Sequence, residues 1–182
     1  LIAGSLFVRR AEGVLNELVV LRRGEAVATY AKMHLFAGLG EHVAFERGAA
    51  PAMIETPLGP AGLAICYDVR FPELFRGHVR RGAVLFLVPS QWPQPRIEHW
   101  RLMCRARATE NSAFLVGVNT AETPGANRLY GHSLAIDPWG DVLWEAGQDA
   151  TVRCVDLAPE RLAEVRARLP VLGDIREDLL RG

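Results

Sequence analysis

The sequence predicts an α/β domain in which helices pack against a mixed sheet. Predicted strands alternate with helices in the second third of the chain, whereas hairpins occur towards both ends. Residues 83–88 and 114–119 are almost entirely apolar, which is typical of strands covered on both faces. Two stacked sheets would accommodate so many strands. With 182 residues and no linker-like stretch, residues 1–182 are predicted to form a single domain.

The first third of the chain is predicted to consist mainly of strands. The predicted strands are, in order, residues 2–8, 14–22, 26–35, 52–56 and 62–65. The first two form a hairpin, and the third would bring Lys32 and His34 to one face, because side chains two residues apart in a strand share a face. The glycine-punctuated residues 36–48 are predicted to form a loop with a short turn of helix.

The stretch GPAGLAICYDVRFPEL, residues 59–74, changes abruptly from an apolar strand-like run to polar residues at Cys66. A strand that ends on a cysteine and turns sharply offers the sulfur to whatever lies above the sheet edge. A buried cysteine that packs as a small hydrophobe is the plainer interpretation. The polar residues that follow favour a nucleophile at a strand-to-helix elbow, because each polar group beside a purely structural thiol must be paired or solvated.

The remainder of the chain alternates helices and strands. Residues 72–81 have helical spacing, with proline in the first turn, where its missing N–H is harmless. The predicted helices are residues 72–81, 96–111 and 159–169, and the predicted strands are residues 83–88, 114–119, 130–136, 141–145 and 151–157.

Composition excludes several functional classes. The 21 basic and 21 acidic residues balance, so nucleic-acid binding is not expected, and no apolar run approaches the roughly 20 residues of a membrane span. Cys66, Cys104 and Cys154 fit neither a disulfide framework nor a metal site, and His99 has no metal spacing with Cys104. We therefore expect a soluble cytoplasmic protein without metal or other cofactor.

Four motifs occur in one order along the chain. They are YAKMHLF (residues 30–36), ICYDVRFPEL (65–74), HWRLMCRARATEN (99–111) and YGHSLAIDPWG (130–140). Together they resemble the carbon-nitrogen hydrolase, or nitrilase, superfamily, and within it the small-amide hydrolases that include omega-amidases and deaminated-glutathione amidases. The resemblance implies an αββα sandwich with two mixed sheets between helix layers, assembled as a homodimer or higher homo-oligomer. It also implies hydrolysis of small linear amides to ammonia and a carboxylate through a cysteine thioester.

The resemblance assigns roles to three residues of this sequence. Cys66 corresponds to the nucleophile, Lys32 to the triad lysine and Glu41 to the family's second glutamate, with Glu46 as the competitor for that last role. The chemistry requires these residue types, because a thiolate must attack a poor electrophile and a neighbouring ammonium favours the thiolate form. An ammonium also stabilises the oxyanion that develops during attack.

Further residues are expected to complete the site. The backbone N–H of Tyr67 is placed to be a second oxyanion donor, and Trp92 with Pro93 is expected to line the substrate pocket, since they follow a core strand. On the long helix, Arg107 and Glu110 are three residues apart and can pair. Together with Arg105 they fit equally well a solvated helix face or the family's dimer interface.

Four polar residues are expected to support the site rather than react. They are His34, Asp68, Arg70 and Glu73. His34 is interpreted as a hydrogen-bonded residue beside Lys32, and the other three as a buried ion-pair and capping network that holds the elbow.

The family's triad glutamate has no counterpart here. In the family it lies on an amino-terminal strand, and Glu12, Glu17 and Glu25 do not match its context. We therefore expect an amino-terminally truncated chain that lacks the first strand and helix of the sandwich. The alternative function is a catalytically impaired remnant that retains only the fold and dimerisation. A cysteine-type α/β-hydrolase using His132 is disfavoured, because no G-x-C-x-G surrounds Cys66.

Overall fold

The computed structural model describes residues 1–11, 13–121, 131–176 and 178. The strands are β1 Ile2–Arg10, β2 Gly13–Arg22, β3 Glu25–Ala31, β4 Met53–Thr56, β5 Gly59–Leu63, β6 Leu85–Ser90, β7 Phe114–Asn119, β8 Leu134–Ile136 and β9 Val142–Glu145. The α-helices are α1 Glu41–Ala44, α2 Pro72–Arg80, α3 Ile97–Asn111 and α4 Pro159–Arg168. Short 3₁₀ helices span Ala37–Leu39, Cys66–Arg70 and Gln94–Arg96.

The strands form two sheets, and the predicted α/β class is confirmed. Strands β1, β2 and β3 make an antiparallel three-stranded sheet. The other sheet has the order β4-β5-β6-β7-β8-β9, in which β5, β6 and β7 run parallel and the outer pairs are antiparallel. The predicted hairpin of β1 and β2 and the predicted helices α2, α3 and α4 are present.

One large apolar cluster joins the two sheets to the helices. Phe75 of α2 packs edge-on against Phe86 of β6, with 4.9 Å between the ring centroids. Leu18 and Val20 of β2 belong to the same fully buried cluster, so the small sheet and the large sheet share a core. This packing fixes the carboxyl end of β5, where the cysteine elbow begins, between elements that cannot shift independently.

The third strand is shorter than predicted. It ends at Ala31, so strand alternation does not place Lys32 and His34. The Lys32 N–H still donates to the Asn16 carbonyl at 2.9 Å, but the His34 N–H donates to the Asp68 carboxylate at 3.0 Å instead of continuing the ladder. The Asp68 carboxylate thus accepts a backbone N–H that would otherwise continue the sheet, and the chain turns towards the elbow.

The predicted strand at residues 151–157 is wrong. This segment pairs with no described strand, and Val152 is 96% exposed. Its valines and other apolar residues suit a strand, but strand-forming residues do not by themselves supply a hydrogen-bonding neighbour. Only its end packs inwards, where Leu157 meets the cluster of Ala61, Leu85 and Phe114. The predicted strand at residues 130–136 is observed as β8, and residue 130 lies outside the described residues.

No helix among the described residues combines the length and the apolar character needed to cross a bilayer.

We predict that Gly117→Ala destabilises the fold by about 1–3 kcal/mol. A Cβ at Gly117 would lie 2.7 Å from Cζ2 of Trp100, a fully buried ring whose indole N–H donates to the His132 carbonyl at 2.8 Å and cannot move aside freely. The matched control is Gly77→Ala in α2, where a Cβ would meet nothing within 4 Å. The control should stabilise by about 0.4–1 kcal/mol. Urea denaturation measures both, and equal effects would contradict the packing described.

Stability is also expected to fall in mild acid because of His78 on α2. This residue is 0% exposed, and burial lowers the pKa of its imidazole below the ordinary value of 6.5. Below about pH 6.5 the imidazole is protonated in the unfolded chain but stays neutral in the folded chain. The free energy of unfolding therefore decreases as the pH falls, by at most about 1.4 kcal/mol per pH unit. His78→Gln should flatten this slope in urea titrations between pH 5 and 7, whereas the exposed His42→Gln should not.

Candidate active site

The thiol of Cys66 lies on a strained turn just beyond β5. Its φ angle is +47°, a left-handed conformation that residues other than glycine rarely adopt. The chain passes directly from this residue into the 3₁₀ helix Cys66–Arg70, so the predicted elbow is present. Such strain is maintained only where the surroundings hold it, and it is frequent at functional sites.

The buried carboxylate of Asp68 holds the elbow in place. It is 0% exposed and accepts hydrogen bonds from the Ile65 N–H at 2.9 Å, the Tyr30 hydroxyl at 2.8 Å and the His34 N–H at 3.0 Å. His34 Nδ1 lies 2.7 Å from the same carboxylate, and its ring stacks on Phe71 at 3.8 Å. Burial and the adjacent Asp68 raise the pKa of Tyr30, which keeps its hydroxyl a donor. Asp68 thus ties β3 and the segment after it to the turn that carries Cys66.

The expected network of Asp68, Arg70 and Glu73 is correct only for Asp68. The Arg70 guanidinium lies over the ring of Trp92 at 5.0 Å and 3.3 Å from His99 Nδ1, and Glu73 is exposed on α2. Neither pairs with Asp68 in the described part of the chain. Backbone and hydroxyl donors already occupy the Asp68 carboxylate, which explains why it needs no arginine.

Lys32 and Glu41 form an ion pair at the base of the site. Lys32 is 1% exposed, and its ammonium lies 2.7 and 2.6 Å from the two carboxylate oxygens of Glu41. The same carboxylate accepts the Phe36 N–H at 2.6 Å. A buried ammonium requires such a partner to remain charged. The alternative residue, Glu46, is exposed and lies beside Gly13.

Cys66, Lys32 and Glu41 line one cavity of about 340 Å³. It is lined by Ser5, Leu6, Phe7, Asn16, Lys32, Phe36, Leu39, Glu41, Ile65, Cys66, Tyr67, Arg70, Ser90, Gln91, Trp92, Pro93 and Arg96. The structure therefore brings together the sequence-predicted Cys66, Lys32, Glu41, Tyr67 and Trp92. This volume is at the small end of the range for ligand pockets, roughly 300–1,000 Å³.

Sequence reasoning missed several residues of this cavity. Ser90 ends β6 and Arg96 precedes α3, and both line the cavity. Asn119, which ends β7, accepts the Trp92 N–H at 2.6 Å and donates to the Trp92 carbonyl at 3.2 Å, so it holds the cavity wall. The signal that could have found Ser90 and Asn119 is a polar residue at the carboxyl end of an apolar strand.

Helix α3 is attached to the elbow through Arg107. This residue is 7% exposed, and it donates to the Val69 carbonyl at 2.8 Å and to Glu110 at 2.8 Å. The predicted pair with Glu110 is confirmed, but a solvated face is wrong for Arg107, because the chain itself buries it. Arg105 donates to the Gly140 carbonyl at 3.0 Å.

The other cysteines and His132 lie outside the cavity lining. Cys104 is fully buried, and burial raises the pKa of its thiol well above the ordinary value, whereas Cys154 is exposed. His132 Nδ1 lies 2.6 Å from Glu145. The described residues contain no group of three or more His, Cys, Asp or Glu side chains that could hold a metal ion.

We predict that Asp68→Asn destabilises the protein by at least about 2 kcal/mol, since an amide cannot accept every donor that now meets the carboxylate. The alkylation of Cys66 by iodoacetamide should slow in parallel as the turn loses its support. Urea denaturation and mass spectrometry of the alkylated chain measure the two effects. The exposed Asp149→Asn is the control. A stable Asp68→Asn chain with unchanged alkylation would show that the carboxylate does not hold the elbow.

Known proteins resemble this chain in both sequence and fold. The carbon-nitrogen hydrolase family model matches residues 1–167. A 2-oxoglutaramate amidase of Bacillus subtilis (strain 168) is 37% identical over 180 residues, which cover 98% of this chain and 70% of that protein. XC1258 of Xanthomonas campestris, a CN-hydrolase superfamily protein with an arsenic adduct in its active site, superposes with a TM-score of 0.89 at 32% identity, over 96% of this chain and 68% of the other.

A third relative is informative about the cysteine. A mutant of the amidase from Nesterenkonia sp. AN1 shows the result of Michael addition of acrylamide at its active-site cysteine. It superposes with a TM-score of 0.77 at 32% identity, covering 92% of this chain and 67% of that one. The match of the family across residues 1–167 shows that this chain belongs to the carbon-nitrogen hydrolase family.

Proposed function

We propose that this protein hydrolyses the carbon-nitrogen bond of small linear amides through a thioester on Cys66, releasing ammonia and a carboxylate. The observation that carries the proposal is the convergence of a strained, cavity-facing thiol with the Lys32–Glu41 ion pair in one pocket. Amidase activity in relatives of similar sequence supports it. The modest cavity volume favours small acyl groups over peptides.

The reaction runs in two halves with balanced atoms. The Cys66 sulfur attacks the amide carbon, and the carbon-nitrogen bond breaks once the nitrogen has received a proton, which leaves a thioester and ammonia. Water then attacks the thioester carbon, which regenerates the thiol and yields the carboxylic acid. In both halves the developing oxyanion accepts hydrogen bonds from the Lys32 ammonium and from the backbone N–H of Tyr67.

Glu41 is the carboxylate that we propose for moving the protons. It is the only acidic side chain among the described residues that line the cavity. It lies 2.6 Å from the Lys32 ammonium, and a carboxylate is the group expected to carry a proton from thiol to leaving amine.

One observation favours the second candidate function, a catalytically impaired chain. Both Glu41 oxygens already accept hydrogen bonds from Lys32, and one also accepts the Phe36 N–H, so the carboxylate is occupied within the protein. In that case Cys66 would become acylated without efficient turnover. The homodimeric assembly and cytoplasmic location expected from the sequence stay predictions.

Cys66→Ser should abolish ammonia release from small amides, because the hydroxyl is a far weaker nucleophile than the thiol in this setting. Lys32→Gln should lower kcat by about 100- to 1,000-fold through loss of an oxyanion donor. The exposed Cys154→Ser should match the parent chain. Ammonia release measures turnover, and intact mass spectrometry after incubation with amide detects an acyl adduct.

The combined outcomes separate the two functions. Turnover that depends on Cys66 supports the amidase, whereas an adduct on Cys66 without turnover supports the impaired chain. A folded protein that shows neither adduct nor turnover, or turnover that survives Cys66→Ser, would contradict the proposed function.

A further inference from the structure

We propose that Asn16 of β2 binds the scissile amide group, with its side-chain oxygen accepting an N–H from the nitrogen that leaves as ammonia. The residue thereby makes the site selective for amides over esters of the same acyl group. This inference rests on the proposed function, because it adds a substrate-binding residue to the same site. The two are tested separately below.

Asn16 lies beside Lys32 in the cavity. The Lys32 N–H donates to the Asn16 carbonyl at 2.9 Å, directly beyond the paired residues of β2 and β3. Because residues opposite each other in an antiparallel pair direct their side chains to the same face, the side chains of Asn16 and Lys32 are neighbours. Both residues line the same cavity as Cys66.

Asn16 is buried and has hydrogen-bonding capacity that the protein does not use. It is 9% exposed, compared with 64% for Phe7, which lies opposite it on β1 and also lines the cavity. Its carboxamide makes no hydrogen bond with any described residue, and neither of its polar atoms is fully enclosed. Leaving a buried amide unpaired is costly, so a ligand that supplies the missing hydrogen bonds is stabilised.

A neutral carboxamide suits the nitrogen of the substrate. In the proposed reaction the substrate oxygen accepts hydrogen bonds from Lys32 and from the Tyr67 N–H, whereas the amide nitrogen carries two N–H donors that need acceptors. The side-chain oxygen of Asn16 can accept one of them, and it has no charge with which to compete for the Lys32 ammonium. Asn16 therefore orients the leaving nitrogen while the ion pair of Lys32 and Glu41 stays intact.

Other polar side chains of the cavity are less suited to this role. Both Glu41 oxygens already accept hydrogen bonds from the Lys32 ammonium. The Ser90 hydroxyl oxygen is fully enclosed by the protein. Two further polar residues of the lining are exposed, namely Ser5 and Gln91. Asn16, by contrast, is buried, uncharged and open to the cavity.

An ester is the ligand that tests for this hydrogen bond. It has the same acyl group and carbonyl oxygen as the amide, but its leaving oxygen carries no hydrogen. A site built to hydrogen-bond a substrate N–H disfavours an analogue that lacks it, because the protein's acceptor is then buried without a partner. The preference for amides should therefore depend on Asn16.

Binding is measured by ligand-observed NMR titration on a Cys66→Ala chain, which cannot form the thioester. The ligands are propionamide and methyl propionate, which share one acyl group and differ in the leaving atom. Propionamide should bind more tightly. Asn16→Leu has a similar size without polar atoms, and it should weaken the binding of propionamide about 10-fold while changing that of the ester by less than about 2-fold. Asn16→Asp keeps an acceptor oxygen and should retain most of the preference.

The control Thr29→Val removes a hydroxyl from an exposed residue of β3 outside the cavity lining and should leave the preference intact. Urea denaturation of each variant shows whether the chain is folded, and Asn16→Ala replaces Asn16→Leu if the larger side chain prevents folding. A Cys66→Ala chain that binds amide and ester equally, or binds neither, would overturn the proposal. So would a preference that survives Asn16→Leu, or one that is lost to the same extent in Asn16→Asp. Ammonia release is assayed separately on chains that retain Cys66, so failure of turnover contradicts the proposed function without affecting the binding result.

Discussion

The carboxylate of Asp68 is the constraint on which the site depends. It accepts hydrogen bonds from Ile65 just after β5, from Tyr30 in β3 and from His34 just after β3, so two stretches distant in sequence converge on one buried charge. Each donor would otherwise be a buried group without an acceptor, and the loss of one hydrogen bond would weaken the others in the network. The left-handed conformation of Cys66 persists because the turn could relax only by breaking these hydrogen bonds.

The cavity contains cations in two different electrostatic settings. Lys32 is buried and paired with Glu41, which holds its ammonium in one position. Arg96 lies at the cavity wall over the ring of Phe36 and pairs with no acidic side chain among the described residues.

The sequence predicted the elements whose signals are local. The apolar run before Cys66, the proline at the start of α2 and the buried runs of β6 and β7 each specify their structure within a few residues. The end of β3 could not be predicted, because it depends on an acceptor 34 residues away at Asp68. The strand predicted at residues 151–157 was wrong for a different reason, since no strand among the described residues pairs with this segment. Ser90 and Arg96 could be recognised as cavity residues only from the structure, in which they line the same cavity as Cys66.

Helix α3 connects the two ends of the site. It begins next to Arg96 at the cavity wall, and three turns later Arg107 donates a hydrogen bond to the Val69 carbonyl within the turn that carries Cys66. The helix is continuous over 15 residues, which is about 22 Å at 1.5 Å per residue. A substitution that displaces α3 at the cavity wall is therefore expected to disturb the Cys66 turn as well. Changes to the wall of the cavity at one end of this helix would have to preserve the geometry of the thiol at the other.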